Sequence, residues 1–387
     1  MLQILKVSNF KCFENLELPI TALTLLSGFN ATGKTSSIQP LLLLAQSIKS
    51  TGSINKLSLN GNLIKLGTPG EVLYENSKSK SIILGVKTAE AEISFELNLE
   101  KRNPNRSCDI DSINFLDVET NSLLKLNNVN ELLSVEEKSA SSLIRKLKNI
   151  IYLGISRFDY EELYPSPNEL DLVNADVGTK GQYAPWHFSE FGDQDIPISR
   201  HHKDESAPTL RKQLIAWFDY IFPGSEANSY HVDGTPLVKL ELRNSSTGEW
   251  RRPSNIGYGL SYIFPILVAC LLAEKDQIII LDSPEAHIHP EGQSKMAQFL
   301  SMIAASGVQL IIETHSDHIL NGVRLAAMKE TIKPKDITIH FFNKIPRSEQ
   351  DVAQITSPSI DHQGNISDWP DGFFDQTEKD LSLLSGW

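Results

Sequence analysis

Apolar residues fall into short runs and alternations that change character along the chain. Near the N-terminus, Leu2, Ile4 and Val7 lead to Phe10-Lys11-Cys12-Phe13, and Leu16-Glu17-Leu18 alternates, which predicts two or three strands within residues 1–28. The run Leu23-Thr24-Leu25-Leu26 reads as a buried strand, and the leucine-rich stretch Thr35 to Ile48 as a helix ending near Thr51-Gly52. Pro40 lies inside that helix, lacks an amide and predicts a kink. From about 53 to 128 the pattern becomes alternating: 81–84, 92–97 and 113–116 read as antiparallel strands, punctuated by turns at Asn103-Pro104-Asn105 and Asn121-Ser122. Val129 to Asn149 then reads as a charged helix with Leu132, Leu133, Leu143 and Ile144 on its buried side.

The strand Ile150 to Leu153 ends at Gly154-Ile155-Ser156-Arg157, and residues 158–207 are loop-rich. Thr209 to Phe222 is an amphipathic helix with Leu210, Leu214, Ile215, Phe218 and Phe222 on one face, closed by Pro223-Gly224. The last third is more regular. Gln277 to Leu281 is nearly all apolar, as a strand covered on both faces must be. A helix at 291–305, a strand at 308–312, a helix at about 317–329 and a strand at 336–342 follow. This β-α-β-α-β order predicts an α/β fold with parallel strands and right-handed crossovers.

Composition narrows the class. Cys12, Cys108 and Cys270 have neither paired nor metal-ligand spacing, so a disulfide framework is not expected and a reducing compartment fits. The N-terminus lacks a signal-peptide core, and the longest apolar stretch, Tyr262 to Ala273, is too short to cross a bilayer. A cytoplasmic protein that does not enter the membrane is expected. The net charge of −12 disfavours a general nucleic-acid coat. Two local basic faces stay open: Arg200, His201, His202, Lys203, Arg211 and Lys212, and the pair Arg251-Arg252.

Gly28-Phe29-Asn30-Ala31-Thr32-Gly33-Lys34-Thr35 fits G-x-x-x-x-G-K-[ST], a phosphate-binding loop, and the strand and helix it requires flank it. Loop amides and the positive end of the helix dipole surround a triphosphate, so Gly28, Asn30, Ala31, Thr32, Gly33, Lys34, Thr35 and Ser36 are the candidate ATP-binding residues. Lys34 is expected on the β- and γ-phosphates and Thr35 on Mg²⁺. Ligands of open parallel sheets sit beyond the strands' carboxyl ends. Asp282 ends one such strand and suits the same Mg²⁺; His315, in Glu313-Thr314-His315, ends another and suits the γ-phosphate or the attacking water. Glu285 offers a second carboxylate for general-base work. Asn255-Ile256-Gly257-Tyr258-Gly259-Leu260-Ser261 opens an apolar helix and, with Ser261, forms either a second anion site or a plain helix cap. His287 and His289 lack further ligands at zinc spacing.

These motifs together resemble the ABC-type ATPases of the RecF/SMC and OLD class, in a single chain without a long coiled coil. Phe10-Lys11-Cys12-Phe13 resembles the first-strand F-K-x-F of that class, Gly28 to Thr35 its Walker A, and Asn255 to Ser261 its signature segment. Ile278 to Pro290 resembles its "ENPEAHLHP" Walker B and D-loop region, and Glu313-Thr314-His315-Ser316 its switch-histidine segment. Tyr152-Leu153-Gly154 with Arg157, Val177-Gly178 with Gly181-Gln182-Tyr183, and Gly364 to Asp375 resemble a subgroup common in bacterial antiphage defence and toxin-like loci.

The resemblance implies a P-loop ATPase head with a mixed sheet, formed by residues 1–52 and 250–387, with an inserted middle lobe at 53–249. It implies ATP and Mg²⁺ as cofactors, and a homodimer or higher assembly in which Ser261 of one subunit closes over the γ-phosphate held by the other. It further implies control of a separate effector protein, expected to be a nuclease, since the roughly seventy residues after His315 are too few for the Toprim domain of OLD enzymes. Nucleic acid would then be met through that partner or the middle lobe. One departure stands out: where ABC ATPases carry the catalytic glutamate, directly after the Walker B acid, this chain has Ser283. Either Glu285 supplies the base, or ATP binding with little turnover carries the function. A RecF-like, DNA-binding repair ATPase is the further alternative.

Overall fold

The computed structural model describes residues 1–49, 56–99, 107–126, 138–157, 161–167, 175–343 and 355–385. Contacts divide the chain into two units, one of residues 1–150, 338–358 and 369–387, the other of residues 151–337 and 359–368.

In the first unit, β1 (Leu2–Phe10), β2 (Phe13–Pro19) and β3 (Leu23–Gly28) precede α1 (Lys34–Lys49). Helix α1 continues past Pro40, the residue that lacks the amide for one helical hydrogen bond. Eleven of its sixteen residues are buried, among them Leu41 to Leu44, and that packing outweighs the one lost amide bond. Strand β4 (Lys56–Ser58) and the one-turn α2 (Pro69–Val72) lead to the long strands β5 (Ser81–Thr88), β6 (Ala91–Asn98) and β7 (Ser107–Asp117), then β8 (Ser122–Leu126). Burial along β6 alternates strictly, the period-2 signature of a sheet with one face in the core. These strands form one antiparallel sheet in the order β2-β1-β5-β6-β7-β4, with β8 on β7. The alternating middle segments are therefore continuous with the N-terminal strands: β1 pairs β5 along nearly its whole length. Helix α3 (Lys138–Lys148) packs Ala140, Leu143, Ile144 and Leu147 against α1, β6 and β7. Leu132, Leu133 and the turn expected at 103–105 lie outside the described residues.

The second unit begins with β9 (Ile151–Leu153) and β10 (Tyr164–Pro165). Within the stretch expected to be loop, α4 (Ala184–Glu190) forms, and α5 (Leu210–Ile221) follows as predicted. A hairpin of β11 (Glu226–His231) and β12 (Leu237–Arg243) pairs with β10. Helix α6 (Tyr258–Leu272) is buried from Leu260 onward, although it is apolar all round, because it lies inside the unit. Strand β13 (Ile278–Asp282), helix α7 (Pro290–Ala305), strand β14 (Gln309–Glu313) and helix α8 (Asp317–Met328) complete it. Strand β13 lies between β9 and β14, parallel to both, with Leu281 opposite Leu153 and Asp282 opposite Glu313. The chain re-enters the first unit through β15 (Ile337–Phe342), which lies beside β3 and pairs antiparallel with β16 (Ile355–Thr356). Buried His340 ties β15 to Pro19 O and Ser357 Oγ, each at 2.8 Å. Helix α9 (Gln376–Ser385) follows. Among the described residues no helix is long and apolar enough to cross a membrane.

The first candidate basic face does not assemble. Arg200 is 2% exposed and donates to Ser306 Oγ (3.0 Å) and to the carbonyls of Cys270, Leu271 and Ala273, which end α6. A guanidinium there satisfies carbonyls that have no intrahelical donor. His202 is also buried, edge-on against Trp217 at 4.8 Å. Arg211 lies over Phe188, and Arg252 pairs with Glu162 at 2.5 Å. Arg200→Ala should lower the stability of the purified chain by about 1.5–3 kcal/mol through each lost charge-assisted bond, to an extent that thermal melting will register. A melting curve superimposable on wild type would remove the capping role.

Candidate functional site

Within the first unit, β3 delivers the chain to a loop that turns back into α1. Gly28 has φ +133°, and a Cβ there would lie 2.2 Å from Phe342 O of β15, so no other residue fits. Gly33 has φ +103°, and its Cβ would meet Cys12 Sγ at 2.6 Å and Phe13 Cζ at 2.8 Å. The Phe10-to-Phe13 turn therefore packs directly on the loop's second glycine. Ala31 also stands at positive φ, +61°. Phe29 N–H donates to Phe342 O at 3.1 Å, while Phe29 O accepts from Thr32 Oγ1 (2.7 Å) and Lys34 Nζ (2.6 Å). Lys34 Nζ also reaches Gly28 O at 3.1 Å, so its ammonium is folded over the loop. Asn30 and Ala31 are exposed at the tip, Thr35 is exposed in the first turn of α1, and Ser36 is half-buried beside it. A glycine cradle, a cation and a helix N-terminus fit an anionic triphosphate.

Within the second unit, three parallel strand ends present chemistry side by side. Asp282 ends β13, and its Oδ1 accepts from Ser283 Oγ at 3.0 Å. Ser283, at φ +50°, is held by its amide to Glu313 O across the ladder at 2.8 Å. The turn then brings Glu285 beside the switch segment, where Glu285 Oε1 accepts from His315 N–H at 2.8 Å. Glu285 Oε2 is buried and has no partner among the described residues. Ser316 caps α8 by accepting from His318 and Ile319 amides, both at 3.1 Å, which fixes where His315 leaves the strand. The His315 side chain is exposed.

Arg157, four residues beyond β9, closes the cluster. It is 5% exposed, and its Nη2 donates to both Asp282 O and Ser283 O at 2.6 Å. Its guanidinium lies 4.2 Å from the centre of the Tyr262 ring, and the Tyr262 hydroxyl donates to Ile155 O at 2.7 Å. Burial lowers the Arg157 pKa and raises that of Glu285; the His315 amide and the Arg157 charge oppose the latter shift without cancelling it. A raised pKa makes the Glu285 carboxylate a stronger proton acceptor than an exposed glutamate. Burial, reinforced by Asp282 and Glu313, likewise raises the Tyr152 phenol.

The signature segment lies in the same unit. Gly259 passes so close to the Walker B turn that a Cβ would lie 2.8 Å from His287 O. His287 is held between Tyr258 and Tyr262, with ring centres 5.5 and 5.3 Å away. Ser261 is the fourth residue of α6; its hydroxyl is buried without a partner among the described residues. Asp282, Glu285, the His315 backbone and the segment carrying Ser261 are thus drawn to one end of the second unit, while the eight phosphate-loop residues occupy one loop of the first. Sequence reading singled out Arg157 only as part of a motif and gave it no site role. Arginine after a short apolar strand carries no sign that it will be buried against carbonyls. Among the described residues no group of three or more His, Cys, Asp or Glu stands at metal-holding geometry.

A family model described as "AAA domain, putative AbiEii toxin, Type IV TA system" matches residues 23–321, and one described as a protein of unknown function (DUF3696) matches residues 332–384. No curated protein matches. Among solved structures, an SMC head bound to the C-terminal winged-helix domain of ScpA is 15% identical, with a TM-score of 0.54 over 92% of this chain and 97% of that one. An SMC head with an extended coiled coil, bound to the C-terminal domain of ScpA from Pyrococcus furiosus, is 12% identical, with a TM-score of 0.55 over 100% of this chain and 98% of that one. The fold is that of these α/β P-loop ATPase heads, as the motifs implied.

The raised Glu285 pKa has a thermodynamic consequence. Between the carboxyl's unfolded and folded pKa values the folded chain binds more protons, so this group's contribution to stability falls as pH rises through that window. Glu285→Gln should therefore melt above wild type at pH 7 to 8, with the gain vanishing near pH 4. Parallel melting curves with no pH-dependent gap would show that burial does not disfavour the carboxylate.

Proposed function

The chain belongs to the AAA-domain family matched over residues 23–321, and from that footing we propose that it binds and hydrolyses ATP with Mg²⁺, pairs with a second copy on ATP binding, and controls a separate effector. The observation that carries this reading is the loop between β3 and α1. Two of its glycines have no room for a side chain, and a lysine at the helix start is folded over its carbonyls. Loop amides from Asn30 to Thr35, with Lys34, hold the phosphates. Thr35 and Asp282 are the residues that would hold Mg²⁺, which would supply neutralisation of the phosphate charge. Ser36 completes the first helical turn.

Glu285 takes the proton of the attacking water. Its Oε1 is oriented by the His315 amide, its Oε2 is open for a proton, and burial suits it to the task. His315 leaves the strand end with an exposed ring, available to the γ-phosphate. Ser261 is 1% exposed, so it would reach the phosphate held by a second copy only once the N-terminal turn of α6 opens; in this reading ATP acts as the clamp and hydrolysis as its release. The effector is a nuclease carried on another chain, in an antiphage system. The antiphage setting rests on the sequence resemblance alone, the family description naming a putative toxin of a type IV toxin–antitoxin system, and no membrane or DNA contact is required of this chain.

Ser283 favours a second reading, in which ATP binding with little turnover carries the signal. The residue directly after Asp282 offers a hydroxyl already donated to Asp282 Oδ1, and no carboxylate.

Three measurements divide these readings. Lys34→Ala should abolish binding of a fluorescent ATP analogue, and near-normal affinity would remove the phosphate-loop assignment. Glu285→Gln should keep that affinity and slow single-turnover hydrolysis by about 10²- to 10⁴-fold, the usual contribution of a general base. Unchanged turnover would place the base elsewhere, and negligible turnover in wild type would favour the sensing reading. Sedimentation of Glu285→Gln with ATP and Mg²⁺ should show a two-fold dimer that Gly257→Arg, at the exposed start of α6 where an added side chain meets nothing within 4 Å, prevents; a nucleotide-independent mass would count against the clamp.

A further inference from the structure

The segment matched only as a protein of unknown function contains a turn that reaches the phosphate loop inside the first unit. Gly372 stands at φ +82°, and a Cβ there would lie 2.2 Å from Phe29 Cζ and 2.9 Å from Phe29 Cε2. The backbone of the turn is thus pressed against the aromatic ring of the loop's second residue. Phe373, fully buried, packs edge-on against Phe341 at 5.2 Å, and Phe341 meets the Phe29 ring at 5.7 Å. Trp369 backs Phe373 at 5.1 Å. The turn is internally braced. Phe373 N–H donates to Pro370 O (2.9 Å), Gly372 N–H donates to Asp375 Oδ2 (3.0 Å), and Lys379 of α9 pairs with Asp371 (2.5 Å) and Asp375 (2.8 Å).

Phe29 is where the loop is held from every side. Its amide is fixed to β15, its carbonyl receives Lys34 and Thr32, and its ring is fixed by the C-terminal turn. The Lys34 ammonium must exchange the Gly28 and Phe29 carbonyls for phosphate oxygens when nucleotide enters. The orientation of the Phe29 peptide therefore sets both the shape of the cradle and the ease of that exchange. We infer that the turn Trp369 to Asp375 is a positioning element of the phosphate loop, acting through Gly372 and Phe373 on Phe29 to set nucleotide affinity. This rests on reading residues 28–36 as the ATP phosphate loop.

The test uses the full-length chain, titrated with a fluorescent ATP analogue and melted in parallel. Gly372→Ala should weaken binding about tenfold while keeping one cooperative melt. The double variant Phe29→Ala/Gly372→Ala should bind no more weakly than Phe29→Ala alone, because the added methyl then has no ring to meet. A merely structural turn would instead lower the melting temperature and leave the affinity of the folded chain unchanged. Wild-type affinity in Gly372→Ala, or additive losses in the double variant, would overturn the inference. Should Gly372→Ala not fold, Lys379→Ala and Phe373→Leu carry the same comparison: weaker binding supports the inference, and wild-type affinity in both overturns it. Lys34→Ala separates the two readings. Loss of binding there with unaffected turn variants defeats only the positioning role, whereas retained binding defeats the ATP reading itself.

Discussion

The contact on which the nucleotide loop depends is the approach of Gly28 to the end of β15. Phe342 O lies where a Gly28 side chain would begin, and the same carbonyl accepts the Phe29 amide. Only a residue without Cβ, free to take φ +133°, lets β3 end that close to its neighbour and still turn into α1. Every later feature of the loop inherits that geometry: the positive φ at Ala31, the second tight glycine against Cys12 and Phe13, and the fold of Lys34 over its own carbonyls. The hydrophobic strands and helix around the loop hold a backbone conformation that is costly in isolation.

Two buried arginines show a second organising principle in the other unit. Arg200 and Arg157 are each at least 95% buried, and each directs guanidinium donors to backbone carbonyls. For Arg200, carbonyl dipoles and the Ser306 hydroxyl take up the donors without a carboxylate partner, which limits the penalty of burying the charge; for Arg157 only Nη2 is so engaged, and Nε and Nη1 are buried without a hydrogen-bond partner among the described residues. Arg200 thereby closes the C-terminal end of α6. Arg157 grips the peptide after Asp282, where Ser283 adopts φ +50°, and so sets the direction in which the chain leaves β13. The position of Glu285 follows from that grip and from the His315 amide. Raising the carboxyl's pKa and orienting it are thus results of the same burial.

Several features were legible in the sequence because they are local. The spacing of Gly28, Gly33, Lys34 and Thr35 is dictated by phosphate geometry, and continuous apolar runs such as 278–281 are dictated by burial on both faces. The 3.6-residue pattern of 210–221 marked its helix, and Asp282 could be assigned to a strand end from the run before it. The α/β P-loop fold followed from the order of these elements.

What only the tertiary structure decided involves partners far apart in the chain. Arg200 looked like part of a basic face, because nothing near it in sequence shows that the end of α6 will need donors. Strands β1 and β2 join the sheet of β5 to β7 through pairing across some eighty residues, which no window of local periodicity reports. Arg157 shows no role of its own in sequence until the parallel register sets Asp282 opposite Glu313 and brings β9 alongside. Gly372, more than three hundred residues from Phe29, reads as an ordinary turn glycine, yet its missing Cβ is what lets that turn close on the phosphate loop. Local chemistry fixed which residues could bind phosphate or move a proton, and long-range packing fixed which backbone each of them is held against.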